Sequence, residues 1–118
     1  MWGTGTVRRE LMHVDDLADA CVFLMDSYSD SSFLNVGTGE DLYISEIAER
    51  LRDIVHPDAE LVFDPTKPDG MPRKVLDVSR IHALGWRHRI DLDEGLRSTY
   101  DWYSRAADPR GHQAGTAA

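Results

Sequence analysis

The strongest pattern of apolar and polar positions lies between residues 44 and 55, where apolar side chains recur at intervals of three and four. This spacing predicts an amphipathic helix that His56 and Pro57 end. Ser45 is its candidate cap, although Ala48 three residues later excludes a capping box at that position. The apolar positions of the helix are Ile44, Ile47, Ala48, Leu51, Ile54 and Val55.

A second helix is predicted over residues 17–25. Asp15 and Asp16 precede its apolar run, and carboxylates stabilise the positive end of a helix. Residues 20–25 are apolar without interruption, so this part of the helix has no polar side. We therefore expect the helix to be buried on more than one side, which needs more protein than the rest of this chain provides.

Two further helices are predicted nearer the C-terminal end of the chain. A short one begins at Ser79, its candidate cap, and ends before Gly85. The other begins at Asp91, which has capping-box spacing to Glu94. One face of this last helix carries Leu92, Leu96, Tyr100 and Tyr103, with Trp102 alongside.

Short strands are expected between the helices, at residues 9–14, 33–36 and 61–63. Residues 64–74 contain three prolines and one glycine, which predicts a loop. Residues 105–118 are small and polar, which predicts a disordered tail after one domain over residues 1–104. The alternation of strand and helix indicates an α/β or α+β unit rather than a helical bundle.

Composition limits the partners of the chain. It has 118 residues and a formal net charge of −8, so attraction of the whole surface to nucleic acid or anionic lipid is not expected. No stretch approaches the ~20 apolar residues of a membrane span, and the first residues do not resemble a signal peptide. The single cysteine, Cys21, cannot form an internal disulfide. We therefore expect a cytoplasmic protein with no nucleic-acid or membrane partner.

The glycine-rich turns of the chain fail the test for a dinucleotide-binding site. Gly37 and Gly39 lie between a predicted strand and a predicted helix, but Leu42 occupies the position of the third glycine in the fingerprint. The turn at residues 3–5 fails in the same way. We therefore expect no cofactor-binding residue in this chain.

Metal ligands and catalytic residues are not predicted either. His13 with Asp15 and Asp16 is a possible ligand cluster, yet the two acids stand where a helix needs caps. Cys21 lies in the most apolar helix, where we expect a core position, and a buried thiol is a poor nucleophile. We therefore expect neither a metal-binding residue nor a catalytic residue in this chain.

Two local groups of basic residues stand out in this acidic composition. Arginine forks bind phosphate oxygens, and a tryptophan offers a flat face for a base or a sugar. The alternative is a solvated arginine pair and a charged loop, which composition alone does not exclude. The first group is Arg8 and Arg9 after a turn that carries Trp2, and the second is Lys67, Arg73 and Lys74 around loop residues 68–72.

These segments resemble, in order, the C-terminal part of the GDP-L-fucose synthases, a family of extended short-chain dehydrogenases/reductases. Residues 2–16 are similar to the family's WGxGTPxREFxHVDD stretch, and residues 35–39 to its NVGTG turn. Residues 63–80 are similar to its FDxSKPDGTPRKLLDVTRL stretch, whose KPDGxPRK loop is the most specific of the three. The similarity covers about residues 2–103, and Val7 stands where the family usually has proline.

The resemblance implies an α/β fold that is the C-terminal, substrate-binding portion of an extended short-chain dehydrogenase/reductase and lacks the N-terminal Rossmann half. The family converts GDP-4-keto-6-deoxy-D-mannose to GDP-L-fucose by epimerisation at C3 and C5 and reduction at C4 with NADPH. The resemblance therefore implies a GDP-sugar substrate, NADP bound by the N-terminal half, and a homodimer of full-length chains. This chain alone is expected to be inactive.

By the same resemblance, four residues match the family's substrate contacts. Arg9 would face the diphosphate, and Asp69 would accept hydrogen bonds from the nucleotide end. Trp2 and Lys74 complete the set, whereas residues 13–16 are expected to be structural. Two other hypotheses stay open: a segment of another nucleotide-sugar epimerase or dehydratase, and a nucleotide-sugar-binding module without catalytic function.

Overall fold

The computed structural model describes residues 1–106 and places four helices and three very short strands in that range. None of the helices in this range is long and apolar enough to cross a bilayer. Strand and helix alternate along most of the chain, which agrees with the expected α/β class. In chain order the elements are β1 (Arg8–Arg9), α1 (Val14–Ser27), β2 (Leu42–Tyr43), α2 (Ile44–Val55), β3 (Arg73–Lys74), α3 (Ser79–Ala83) and α4 (Leu92–Ala106).

The strands form one small sheet in the order β2-β1-β3. β1 pairs antiparallel with β2 and parallel with β3, so Arg8 lies opposite both Tyr43 and Arg73. The peptide N–H of Arg8 donates to the carbonyl of Pro72 at 2.8 Å, which extends the parallel pairing. β1 is therefore the central strand, and it joins two parts of the chain that are far apart in sequence.

The first turn of α1 is attached to the segment before α4 by Asp16, which is 3% exposed. The carboxylate oxygens of Asp16 accept from the peptide N–H groups of Arg89 and Ile90 at 3.1 and 3.0 Å. His13 caps the helix, since its Nδ1 accepts from the N–H of Asp15 at 3.2 Å. These bonds agree with the structural role expected for residues 13–16.

The core lies between α1 and α3. Ala20 and Ile81 are fully buried there, together with Val78 and Trp86. The indole Nε1 of Trp86 donates to Asp19 Oδ2 at 2.8 Å, so the large ring is buried with its polar atom satisfied. The partly buried side chains that surround this core are Met12, Phe23, Leu24, Leu34 and Val36.

The side of α1 that faces away from this core is exposed. Val22 and Met25 are 62% and 84% exposed, and Leu17 is exposed as well. Cys21 lies on the same open surface, so the expectation of a core cysteine is wrong. As the pattern predicted, the described residues bury only one side of α1, and an apolar surface is left uncovered.

The bounds of α2 agree with the periodicity that predicted it, but its cap differs. The helix begins at Ile44, and the side chain of Glu46 accepts from the peptide N–H of Tyr43 at 2.8 Å. The predicted cap, Ser45, is therefore already inside the helix. The cap prediction is wrong because Ile44 is apolar and belongs to the first turn, so that Tyr43 precedes the helix.

The last two helices begin at acidic side chains. Ser79 belongs to α3 rather than capping it, and its N–H donates to Asp77 Oδ1 at 2.9 Å. At the start of α4, Asp91 Oδ1 accepts from the N–H of Glu94 at 2.8 Å, which confirms the predicted cap. Of the three caps predicted from sequence, only the one at Asp91 is therefore confirmed.

Two predicted strands are wrong. Residues 33–36 have no ladder partner, and a carbonyl of this segment accepts from the guanidinium of Arg80 instead. Residues 61–63 form no ladder either, and only the next residue, Asp64, makes an isolated bridge to Trp2. A strand requires a hydrogen-bonded neighbour, which local composition does not reveal.

Three predicted boundaries also differ from the structure. The predicted loop at residues 64–74 ends in a strand, because Arg73–Lys74 pairs with β1. Of the predicted strand at residues 9–14, only the first residue belongs to β1. α4 continues to Ala106, and the remainder of the predicted tail, residues 107–118, lies outside the described residues.

Candidate functional site

Four cationic residues lie next to one another where β1 and β3 pair. Arg8 lies opposite Arg73, and Arg9 lies opposite Lys74. Successive residues of a strand point to opposite faces of a sheet, whereas directly opposed residues share a face. The sheet therefore has Arg8 and Arg73 on one face and Arg9 and Lys74 on the other. Sequence showed two separate basic groups, and the structure joins residues of both into this cationic cluster.

Arg8 and Arg73 share one acid, Asp41, which precedes β2 and whose side chain is 4% exposed. Arg73 donates from Nε to Asp41 Oδ2 at 2.6 Å and from Nη2 to Oδ1 at 3.1 Å. Arg8 Nη2 donates to Oδ1 at 3.1 Å. The hydrogen bonds from Arg73, and those from Arg8 after them, lower the pKa of Asp41 to about 2 although burial opposes this shift. The carboxylate is therefore ionised throughout the neutral range.

Arg9 and Lys74 form no ion pair among residues 1–106. Arg9 Nη1 donates to the carbonyl of Arg8 at 2.7 Å. Arg9 Nη2 lies 3.8 Å from the point where a Cβ of Gly70 would be, so the guanidinium lies against the loop that follows Asp69. Within residues 1–106 its other donors form no hydrogen bond, which leaves them available to an anion.

Asp69 holds this loop against the turn at the start of the chain. Its Oδ1 accepts from the peptide N–H of Thr4 at 2.6 Å, and its Oδ2 accepts from the Thr4 hydroxyl at 2.8 Å. Gly3 has a φ of 80°, and a Cβ there would lie 2.3 Å from Asp69 Oδ1. The turn therefore requires glycine at this position, and both oxygens of Asp69 already have partners.

Trp2, on the same turn, is 74% exposed. The ammonium of Lys67 lies 5.9 Å from the centroid of a Trp2 ring, within the range of a cation–π contact. The indole therefore presents a flat apolar surface with positive charge beside it.

Two cavities lie next to β1. Arg9 lines one of about 770 Å³, which α2 and α4 border, and Lys74 lines one of about 640 Å³ together with Met71. Of the four residues predicted for the site, Arg9 and Lys74 are neighbours by strand register, although each lines a different cavity. Trp2 and Asp69 lie at the neighbouring contact between turn and loop.

The turn at residues 37–39 does not fit a dinucleotide phosphate. Glu10 Oε1 accepts from the peptide N–H groups of Thr38 and Gly39 and from the Thr38 hydroxyl. Its Oε2 accepts from the N–H of Leu76 at 2.7 Å. A phosphate at this turn would need the same peptide donors, which the Glu10 carboxylate occupies.

Among the described residues, no group of three His, Cys, Asp or Glu side chains is placed to hold a metal ion. His13, a candidate ligand by sequence, has its Nδ1 engaged by the helix cap and its Nε2 3.1 Å from Ser98 Oγ. Because Nδ1 accepts, the ring proton is on Nε2 and donates to Ser98. Both nitrogens of His13 are therefore used within the fold.

Glu10 and Asp41 were missed from sequence, although they organise the site. Glu10 follows the arginine pair and Asp41 follows the turn at residues 37–39, and acids are usually solvated on the surface. No signal in the sequence distinguishes Asp41 from the other acids among the 21 Asp and Glu residues of the chain. Their roles depend on contacts across 28 to 66 positions of sequence, which local patterns do not contain.

Several known proteins are similar to this chain. Residues 1–37 match the NAD dependent epimerase/dehydratase family. A putative GDP-L-fucose synthase 2 from Arabidopsis thaliana is 52% identical over 103 residues, which are 87% of this chain and 31% of that protein. GDP-L-fucose synthase from Escherichia coli is 44% identical over 117 residues, which cover 92% of this chain and 36% of that protein. The chain spans about a third of the length of these relatives and matches their C-terminal part.

Solved structures show the same fold. A GDP-6-OMe-4-keto-L-xylo-heptose reductase from C. jejuni is 40% identical with a TM-score of 0.82, over 90% of this chain and 33% of that one. A GDP-mannoheptose C4 reductase from Campylobacter jejuni, solved with NADP, is 43% identical with a TM-score of 0.75, over 88% of this chain and 34% of that one. A GDP-L-fucose synthetase from Naegleria fowleri has a TM-score of 0.84 over 91% of this chain and 34% of that one at 19% identity, so the fold is shared where the sequence has diverged.

Proposed function

We propose that this chain, a member of the NAD-dependent epimerase/dehydratase family and part of an extended short-chain dehydrogenase/reductase fold, forms the substrate-binding portion of a GDP-L-fucose synthase. The whole enzyme would convert GDP-4-keto-6-deoxy-D-mannose to GDP-L-fucose by epimerisation at C3 and C5 and reduction at C4. The observation that carries the proposal is the pairing of Arg9 with Lys74 on one face, without an acidic partner among residues 1–106. In a chain of net charge −8, two such neighbours favour an anionic ligand.

Different residues would bind the charged diphosphate of the ligand and its flat base or sugar. Arg9 binds the diphosphate with the donors that the Arg8 carbonyl leaves unused, because a guanidinium fork matches two phosphate oxygens. Lys74 adds a point charge beside it. Trp2 offers its exposed ring to a base or a sugar.

Asp69 has two tasks in this proposal. It holds the loop beside Arg9 through its bonds to Thr4, and it uses the remaining lone pairs of its carboxylate to accept from the nucleotide end. Asp69→Asn should therefore disturb the loop as well as weaken binding. Arg9→Ala is the cleaner test of ligand contact.

The chemistry would come from the part of the relatives that this chain does not match. NADPH, bound there, would supply the hydride for the reduction at C4. The residues of this chain bind the GDP-sugar and hold it in place, and we assign none of them a catalytic role. The homodimer of full-length chains and the cytoplasmic location remain predictions, the second consistent with a single cysteine.

A chimera tests the function directly. In it, residues 1–103 of this chain replace the matching C-terminal third of the Arabidopsis relative. We expect NADPH-dependent formation of GDP-L-fucose by the chimera and no oxidation of NADPH by the 118-residue chain alone. A folded chimera that binds GDP-mannose but forms no product would favour a binding module without catalytic function.

Arg9→Ala in the chimera tests the proposed contact. Loss of a charge-assisted hydrogen bond typically costs ~1.5–3 kcal/mol, so the Kd for GDP-mannose should rise about tenfold or more. Arg97→Ala is the matched control, because Arg97 is exposed on α4 and makes no ion pair among the described residues. Arg80 is unsuitable because its guanidinium bonds Tyr28 and Ser32. Equal effects of Arg9→Ala and Arg97→Ala would contradict the assigned site.

A second candidate is a C4 reductase of another GDP-sugar. It is favoured by the two solved GDP-heptose reductases at 40% and 43% identity. A panel of GDP-, UDP- and dTDP-linked 4-keto sugars separates the candidates. Reduction of a GDP-4-keto-heptose in preference to GDP-4-keto-6-deoxy-mannose would select the second.

A further inference from the structure

The four residues of the cationic cluster carry like charges and repel one another. Two strands of two residues each carry four cations, and neighbouring strands lie only ~4.8 Å apart. Like charges directly opposite each other destabilise a strand pair. Since β1 and β3 each have only two residues, few ladder hydrogen bonds are available to oppose this repulsion.

Asp41 is placed to reduce that repulsion on one face of the strand pair. It is buried, and its carboxylate receives three hydrogen bonds from Arg8 and Arg73. Arg8 is fixed further by a bond from Nη2 to the Asp41 carbonyl at 2.9 Å and by the Tyr43 ring, whose centroid lies 4.8 Å from its guanidinium. The low pKa of Asp41 agrees with a carboxylate that stays charged in this position.

We propose that Asp41 is a positioning residue that sorts the four cations: it holds Arg8 and Arg73 on one face of the β1–β3 pair and thereby presents Arg9 and Lys74, side by side, to the ligand on the other. The part of this inference that concerns a ligand rests on the proposed function. We assign Asp41 no ligand contact, because its side chain is only 4% exposed and both of its carboxylate oxygens already accept hydrogen bonds from Arg8 and Arg73. Its effect passes through the register that pairs Arg9 with Lys74.

The direction in which anion binding changes distinguishes a positioning role of Asp41 from a simple change in the electrostatic field. Removing the negative charge of Asp41 makes the cluster more positive, so a field effect alone would strengthen the binding of an anion. Removing the positive charge of Arg73 would weaken it for the same reason. If Asp41 and Arg73 act by holding the strands in register, both substitutions weaken binding.

The test uses Asp41→Asn and Arg73→Gln, which change the net charge in opposite directions. The exposed ion pair of Arg52 and Asp53 in α2 provides matched controls, Asp53→Asn and Arg52→Gln. We expect the Kd for GDP-mannose to rise about tenfold in both cluster variants, as for the loss of a residue coupled to the contact, and to change less than about twofold in both controls. Opposite changes in the two cluster variants, or no change in either, would overturn the proposal.

A second measurement needs no ligand. The peptide N–H groups of Arg8 and Glu10 donate across to Pro72 and Lys74 at 2.8 and 3.2 Å. Their hydrogen exchange should be faster by about tenfold in both cluster variants, while the amides of α2 keep their wild-type rates. Unchanged exchange of Arg8 and Glu10 would overturn the proposal whatever the ligand results.

These two measurements also distinguish the failure of this inference from that of the proposed function. If the chimera with wild-type residues 1–103 does not bind GDP-mannose, the proposed function fails, and the exchange rates alone decide whether Asp41 orders the cluster. If Asp41→Asn does not fold, Arg73→Gln decides, because it leaves Asp41 paired with Arg8. Faster exchange together with unweakened binding would show that Asp41 only stabilises the sheet and positions nothing.

Discussion

Replacement of Asp16 by asparagine tests whether the buried end of α1 holds the fold together. The carboxylate accepts from two peptide N–H groups, those of Arg89 and Ile90, at 3.1 and 3.0 Å. In Asp16→Asn, one oxygen remains as an acceptor and an NH₂ group faces the other N–H. A hydrogen bond to a charged group contributes ~1.5–3 kcal/mol, so the free energy of unfolding should fall by ~2–3 kcal/mol. That is a large part of the ~5–15 kcal/mol that stabilises a typical domain.

Asp15→Asn is the control for the loss of a negative charge at the start of α1. Asp15 lies in the same first turn of α1, and its side chain is 78% exposed. Both substitutions remove one negative charge from the helix N-terminus, which costs ~0.3–1 kcal/mol by interaction with the helix dipole. The difference between the two variants therefore isolates the buried contact to the segment before α4.

Urea denaturation followed by circular dichroism measures both free energies. We expect the Asp16→Asn midpoint to fall well below that of Asp15→Asn, with equal slopes if the unfolding transition stays two-state. An equal decrease in the free energy of unfolding of the two variants would refute the reasoning. It would mean that the buried bonds contribute nothing beyond the charge at the helix end.

Three further outcomes follow from the structure. The pKa of Asp41 is lowered to about 2 by Arg73 and Arg8, so its contribution to stability is complete above the unfolded value of 3.8 and is lost as the pH falls towards about 2. The difference in Tm between wild type and Asp41→Asn should shrink across this range, and a constant difference would contradict the assignment. The 118-residue chain should bind ANS and self-associate through the open side of α1, and Val22→Lys with Met25→Lys should reduce both. A monomeric wild type without dye binding would be inconsistent with that surface. The chain should also leave NADPH unoxidised in the presence of GDP-4-keto-6-deoxy-mannose, and any oxidation that copurifies with it would be evidence to the contrary.

Helices were predictable from this sequence and strands were not. The bounds of α2 follow from apolar positions three and four apart and from His56-Pro57 after them, all of which are local. β3 consists of Arg73 and Lys74, two polar residues in a proline-rich segment, and it is a strand only because β1 pairs with it across 65 positions. Residues 33–36 have strand-like composition and no partner, so the prediction there was wrong.

Sequence supplied four candidate site residues but not their arrangement, and their contact with a ligand stays a prediction. Resemblance supplied Arg9 and Lys74 from separate motifs, and nothing in either motif indicated that they lie opposite each other. Asp41 was not considered, because its importance comes from being buried between two arginines that sequence places 32 and 33 positions away. Resemblance identifies the residue types that touch a ligand, whereas the supporting acids become visible only with the fold.

The long separation between β1 and β3 also determines when the sheet can form. Loop closure over 65 positions must come before the pairing, whereas α1 and α2 need only local contacts, and helices form within ~0.1–1 μs. The hydrogen bond from the N–H of Leu76 to the Glu10 carboxylate also forms late, because it spans 66 positions. During synthesis, α1 therefore emerges and exposes its apolar sides before the strand that completes the sheet has been made. Refolding should accordingly show helix signal first and protection of the β1 amides last.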